Sequence, residues 1–188
     1  MKFISNLIIF YFLLSINLIY SQDNFGNSLK TKIITQILQK TIQQENEMRQ
    51  HVYTEIDSSG NEIGMSKMDI DSLVVTEPFI IKNDSLYYTT KQKFAYEKGH
   101  YFEQQIVSLQ DITAVTKDIG IFFETEPDKV QIIRQEYFED GNSIKTSRKT
   151  DLFRTHFISL RDNEYLADDL VKAFKKAGYK IEKGYWYD

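Results

Sequence analysis

The sequence predicts an α+β fold, mainly antiparallel β: a curled sheet or barrel of seven to eight strands with an N-terminal helix and a capping C-terminal amphipathic helix. Three observations predict it. Residues 28–51 carry apolar side chains at helical spacing without Gly or Pro, residues 79–160 alternate with a period of two between turn residues, and residues 158–179 run from strand to cap to amphipathic helix to stop.

The chain opens with one basic residue, Lys2, followed by a run from Phe3 to Tyr20 in which only Ser5, Asn6, Ser15 and Asn17 are clearly polar. This is the pattern of a cleavable secretory signal over residues 1–21, with Ser21 and Gln22 suited to the cleavage region and a turn-like SQDNFGNS after it. The competing expectation is an uncleaved anchor, because about eighteen apolar residues lie at the lower edge of what spans a bilayer. The expected localisation is therefore secreted or periplasmic, with an N-terminally anchored, envelope-associated form as the alternative. There is no cysteine, which excludes lipoprotein acylation, disulfides and thiol chemistry. The formal net charge is −4, and loss of Lys2 with the signal makes it one unit more negative, which argues against nucleic acid as a partner. Residues 22–188 suit one domain and would bury roughly 70% of their unfolded surface.

Residues 22–52 hold the first helix. Leu29, Ile33, Ile34, Ile37, Leu38, Ile42 and Met48 recur at helical spacing, and the stripe thins where Gln43, Gln44, Glu45, Asn46 and Glu47 follow, so the second half is expected to project into water. The stripe packs on its own domain or, failing that, supports self-association along Leu29 to Ile42. Residues 53–77 form a connecting segment or a hairpin: HVYTEI, the turn DSSGNE, then EIGMSKMDI. Asp57, Ser59, Asn61 and Glu62 invite a calcium-loop reading, but that loop wants Gly at its sixth position and Glu at its twelfth, where Glu62 and Met68 stand.

Residues 78–188 form the β region and its closing helix. PFII and LYYTT flank the turn Lys82-Asn83-Asp84-Ser85, and KQKFAYEKGHYFEQQIVSL breaks at Gly99. DITAVTKD, GIFFETE, a turn at Pro127-Asp128 and VQIIRQEYF follow, then a turn at Asp140-Gly141-Asn142 and a long stretch from Ser143 to Leu160. Ile144, Thr146, Arg148 and Thr150 alternate with Lys145, Ser147 and Lys149, the mark of an exposed, charged edge strand. HFISL then reads as a last apolar strand. Large side chains such as Ile106, Ile121, Ile132 and Phe157 are expected to fill the interior, and one of Phe122 and Phe123 must be buried. Asp162 or Asn163 is the expected cap of the closing helix and Gly178 its left-handed stop. Leu166, Leu170, Ala173, Phe174 and Ala177 form its stripe, and burying the two Leu and Phe174 contributes about 1.5–3 kcal/mol each before entropy is charged.

The block from Phe79 to Gly178, with SLQDITAVTKDIGIFFETEPDKVQI and then ISLRDNEYLADDLVKAFKKAG, resembles the pleckstrin-homology-like superfold, a bent antiparallel barrel of seven strands plugged by a C-terminal helix. The resemblance implies a scaffold for peptides, lipids or partner proteins and carries over no catalytic residue. The basic early hairpin of the phosphoinositide-binding members is missing around Lys82 to Lys93. A lipocalin-like barrel is the competing fold, against which the early Gly-x-Trp signature is absent and the only tryptophan is Trp186.

Catalytic motifs are scarce. No Gly-rich phosphate loop and no Gly-x-Ser-x-Gly elbow occurs. His51, His100 and His156, with Glu103, are candidate zinc ligands only if the fold gathers them, and each alone reads as a surface or rim residue. Glu124, Glu126 and Asp128 flank a turn, where full solvation is expected. Tyr87, Tyr88, Phe94, Tyr96, Tyr101 and Phe102, and the tail Gly184-Tyr185-Trp186-Tyr187-Asp188, are dense in aromatics and either pack on the domain or form a contact surface for a partner or glycan. The expectation is an exported, non-enzymatic binding or protein-interaction module without cofactor or metal. The alternatives are a lipocalin-like carrier of a small apolar ligand and, third, an unrecognised hydrolase.

Overall fold

The computed structural model describes residues 29–67, 71–95 and 98–187. The expected signal segment 1–21, Met68, Tyr96 and Asp188 lie outside them. Helix α1 covers residues 29–49 and is followed by the hairpin β1 (Val52–Ile56) and β2 (Glu62–Lys67), an isolated two-stranded sheet. Then come β3 (Val74–Lys82), β4 (Ser85–Lys93), β5 (Gly99–Ser108), a short 3-10 turn at Leu109–Asp111, β6 (Ile112–Lys117), β7 (Ile121–Thr125), β8 (Val130–Phe138), β9 (Ser143–Thr150) and β10 (Leu152–Arg154). Helix α2 (Tyr165–Ala177) and strand β11 (Glu182–Trp186) close the chain. The fold is α+β with mostly antiparallel pairing. One sheet has the order β3-β4-β5-β8-β9 and the other β10-β7-β6-β11, and neither closes on itself.

Turn chemistry explains the first sheet. Asn83 (φ 49°) and Asp84 (φ 54°) take the left-handed conformations that a two-residue hairpin demands, and Gly141 (φ 86°) does so between β8 and β9. The sheets meet through their aromatic inner faces. Phe79 stacks on Tyr88 at 3.9 Å between ring centroids, and both face Phe153 of β10 at 6.4 Å. The Gln105 side-chain amide adds a polar rivet, donating to Arg154 O and accepting from Arg154 N, each at 2.8 Å. Ile121, Ile132 and Phe157 are buried as expected, whereas Ile106 is not. Along β5 the inward positions are Glu103, Gln105 and Val107, so the apolar Ile106 falls on the outer face and two polar residues fall inside.

Helix α1 departs from its expected solvation. Ile34 and Leu38 are fully buried and Ile33, Ile37, Ile42 and Met48 pack against the core, so a partner helix on that stripe would compete with the chain's own interior. The polar second half docks as well, through hydrogen bonds instead of apolar area. Asn46 accepts from Leu73 N at 2.8 Å and donates to Leu73 O at 3.2 Å, and Glu45 and Arg49 are buried. Gln43 and Glu47 face solvent, while Glu45, Asn46 and Arg49 meet backbone partners on the strand entry or on the loop after β10.

Helix α2 buries Leu166, Ala167, Leu170, Ala173 and Phe174, with Phe174 at 5.6 Å from Phe123, and Gly178 (φ 96°) makes the left-handed stop. Neither Asp162 nor Asn163 caps it by a side-chain bond. Glu164 holds the N-cap position, while Asn163 Oδ1 accepts from Lys117 Nζ at 3.0 Å and from Trp186 Nε1 at 3.2 Å. The tail is accordingly a strand on its own domain. β11 runs parallel to β6, the exception to the antiparallel pairing, and a Cβ on Gly184 would overlap the Thr116 methyl, so only Gly permits this approach. Tyr185 and Tyr187 remain exposed. Among the described residues no helix is long and apolar enough to cross a membrane.

Candidate functional site

HFISL is not a strand. Thr155 N and Phe157 O still bond to Ile121, but His156 between them adopts a left-handed backbone (φ 63°), which turns the chain out of the ladder. Such a conformation costs about 1–3 kcal/mol at a non-glycine residue and persists where its surroundings over-determine it. Here the determinants are on α1. Arg49 Nη2 donates to His156 O at 2.8 Å, and the Glu45 carboxylate accepts from Ile158 N at 3.0 Å and Ser159 N at 3.0 Å while pairing with Arg49 Nε at 2.7 Å. Arg49 Nη1 also donates to Asp71 O at 2.8 Å, so one ion pair ties α1 to the entry of β3 and to the loop after β10.

That tie leaves a cleft of about 710 Å³ between α1, segment 71–74, the end of β4 and the His156 loop. One wall is apolar, from Leu73, Val74 and Ile158; the other presents Arg49, Gln92, Lys93 and His156, with Lys91 beside them. β3 begins opposite Lys91, so Gln92 and Lys93 extend past their neighbour on that side and make the notch. Asp71 and Lys93 bridge its mouth at 2.8 Å, both largely exposed. The bridge holds Asp71 below the usual carboxylate range.

A polar chain runs behind this wall. Tyr101 OH donates to Gln92 Oε1 at 2.8 Å, which turns the Gln92 NH2 towards Thr90 Oγ1 at 3.1 Å and His156 Nε2 at 3.0 Å. An amide NH2 can only donate, so His156 Nε2 accepts and the ring proton sits on Nδ1. Nδ1 is buried and has no hydrogen-bond partner among the described residues, nor has the hydroxyl of Tyr88, whose ring lies 6.0 Å away. Glu103 Oε1 is 3.8 Å from His156 Nε2. Burial first, then the charges of Arg154 and Arg49, press the imidazole pKa down to about 4. Burial likewise raises the Tyr101 phenol, which stays protonated as the chain requires.

Because folding lowers this pKa from 6.5 to about 4, the unfolded chain binds one proton more than the fold between those values. Stability is then full above pH 6.5 and falls as the pH drops towards 4, by an amount on the order of 3 kcal/mol. Denaturant midpoints at pH 7 and pH 4.5 check this: the drop attributable to His156 should vanish in His156→Asn, whose side chain tolerates the left-handed backbone and does not titrate.

The other sequence candidates do not gather here. His100 lies on the outer face of the five-stranded sheet, stacked on Tyr137 at 5.3 Å, and His51 sits edge-on to Tyr53 at 4.8 Å before β1. Of the proposed histidines and Glu103, only His156 and Glu103 meet. The described residues contain no cluster of three or more side chains able to grip a metal. Asp57 spends its carboxylate on its own turn, accepting from Ser59 N and Asn61 N. Glu124 is in β7, with Glu126 and Asp128 in the turn to β8. Phe94, Tyr101 and Phe138 pack together beyond the cleft.

No family model matches this chain, and no curated protein or solved structure matches it. Sequence reasoning missed Glu45, Arg49 and Gln92. The available signal was the i, i+4 Glu45–Arg49 pair, which reads equally as a solvated surface pair.

Proposed function

We propose that this chain is an exported, non-enzymatic binding module whose ligand seats in the cleft beside His156. The single observation carrying this reading is the pairing of a roomy, half-apolar cleft with a filled interior. Phe79, Tyr88, Phe123, Phe153, Phe157 and Phe174 are each fully buried between the sheets and α2, which disfavours the lipocalin-like carrier. We read the stacked sheets with α2 across them as a barrel-like relative of the pleckstrin-homology-like scaffold, on the strength of the chain order and the plugging helix. The hydrolase reading draws on the His156–Glu103 approach, but the histidine has an amide, not a hydroxyl nucleophile, on its acceptor nitrogen.

A nuclear magnetic resonance screen against small alcohols, amines and carboxylates tests the reading. Saturable shifts confined to Leu73, Gln92, His156 and Ile158 are expected. Shifts centred on the Phe123 and Phe153 rings would instead favour a carrier, and chemical turnover of an ester or amide probe would favour the hydrolase.

A further inference from the structure

The cleft's polar wall has donors left over. Acceptors facing it already receive a donor: Gln92 Oε1 from Tyr101, Ser72 Oγ from Gln50, Asp71 Oδ2 from Lys93, and the carbonyls of Asp71 and His156 from Arg49. The Glu45 carboxylate behind them receives Arg49, Ile158 N and Ser159 N. The donors are in surplus. His156 carries its Nδ1 proton without a partner, and Arg49 has two N–H bonds beyond the three directed at Glu45, Asp71 and His156. The Lys91 ammonium lies over the Phe102 ring at 5.7 Å and has no carboxylate partner among the described residues.

Charges around the cleft point the same way. Arg49 is offset by Glu45, Lys93 by Asp71 and Arg134 by Glu136, Arg154 and Glu103 add one charge of each sign near His156, and Lys91 leaves the sum one positive charge in excess. Resting on the binding-module reading, we propose that the cleft takes a small monocarboxylate with a short apolar body. Its carboxylate accepts from the His156–Arg49 wall under the influence of Lys91, and its body lies on Leu73, Val74 and Ile158. An acceptor-only head matches a donor-rich wall, one negative charge matches one excess cation, and the apolar wall excludes a fully hydrated ion such as free phosphate.

The test titrates the purified protein with hexanoate, hexanol and hexylamine, following the Gln92 side-chain amide, the His156 ring and the Ile158 methyls. Hexanoate should shift all three saturably, hexanol at least about tenfold more weakly, and hexylamine not at all. Lys91→Gln, at an exposed position, and His156→Asn should each weaken hexanoate about tenfold while hexanol is unchanged by Lys91→Gln. Equal binding of hexanol, or hexanoate binding indifferent to both variants, overturns the carboxylate assignment and leaves the cleft as a binding site. Failure of all three probes to move these signals overturns the assignment together with the binding-site reading.

Discussion

Leu170→Asp should leave the protein without a cooperative unfolding transition. Leu170 is fully buried on α2 in the company of Leu166, Ala173 and Phe174, and Phe174 reaches Phe123 in the second sheet. Removing a buried leucine costs about 2–5 kcal/mol, and placing a carboxylate in the same apolar site adds a desolvation penalty of several more. Against a total stability of about 5–15 kcal/mol, the sum removes most of the margin. Leu170→Ala, which lacks the charge, should stay folded with its urea midpoint lowered in proportion to about 2–5 kcal/mol. Circular dichroism during urea titration checks both. An unchanged midpoint for Leu170→Asp would mean that the stripe faces outward to a partner.

The second large effect lies at Glu45. Its carboxylate has no solvent exposure and holds Arg49 Nε, Ile158 N and Ser159 N, so Glu45→Ala strands a buried guanidinium and two backbone donors at once. Breaking a buried pair in this manner costs about 3–5 kcal/mol. Arg49→Met should cost a similar amount, because it leaves the carboxylate without its cation. The double variant Glu45→Leu/Arg49→Met should cost clearly less than the two singles combined, a coupling on the order of 2 kcal/mol in a double-mutant cycle. Additive losses would show that each residue acts alone, not as one tie. The single variants should also release the left-handed turn at His156, so that the cleft loses its shape before the fold is lost.

Much of this fold was legible in the sequence because it obeys local rules. The turn at Asn83-Asp84, the stop at Gly178, the stripe of α2 and the exposed β9 follow from backbone preference and period. What was not legible depends on partners distant in the chain. Glu45 reads as a solvated helix residue until the loop 113 residues later places its amides there. HFISL reads as an apolar strand, and its turn into a loop goes with the capture of the His156 carbonyl by Arg49 and of the Ile158 and Ser159 amides by Glu45. Asn163 was a plausible cap, yet its oxygen serves Lys117 and Trp186 instead, because β11 pairs in parallel with β6 and brings the tail alongside. The cleft inherits this dependence. Its wall is built by Gln92 and His156, 64 residues apart, and no motif links them.

His156 is held neutral, with its proton on a buried Nδ1 that has no hydrogen-bond partner among the described residues. Long-range proton–nitrogen correlation spectra of the imidazole across pH test it directly. The Nδ1–H tautomer is expected at pH 7, with a midpoint near the depressed value of about 4. An Nε2–H tautomer, or titration near 6.5 as for a free histidine, would contradict it.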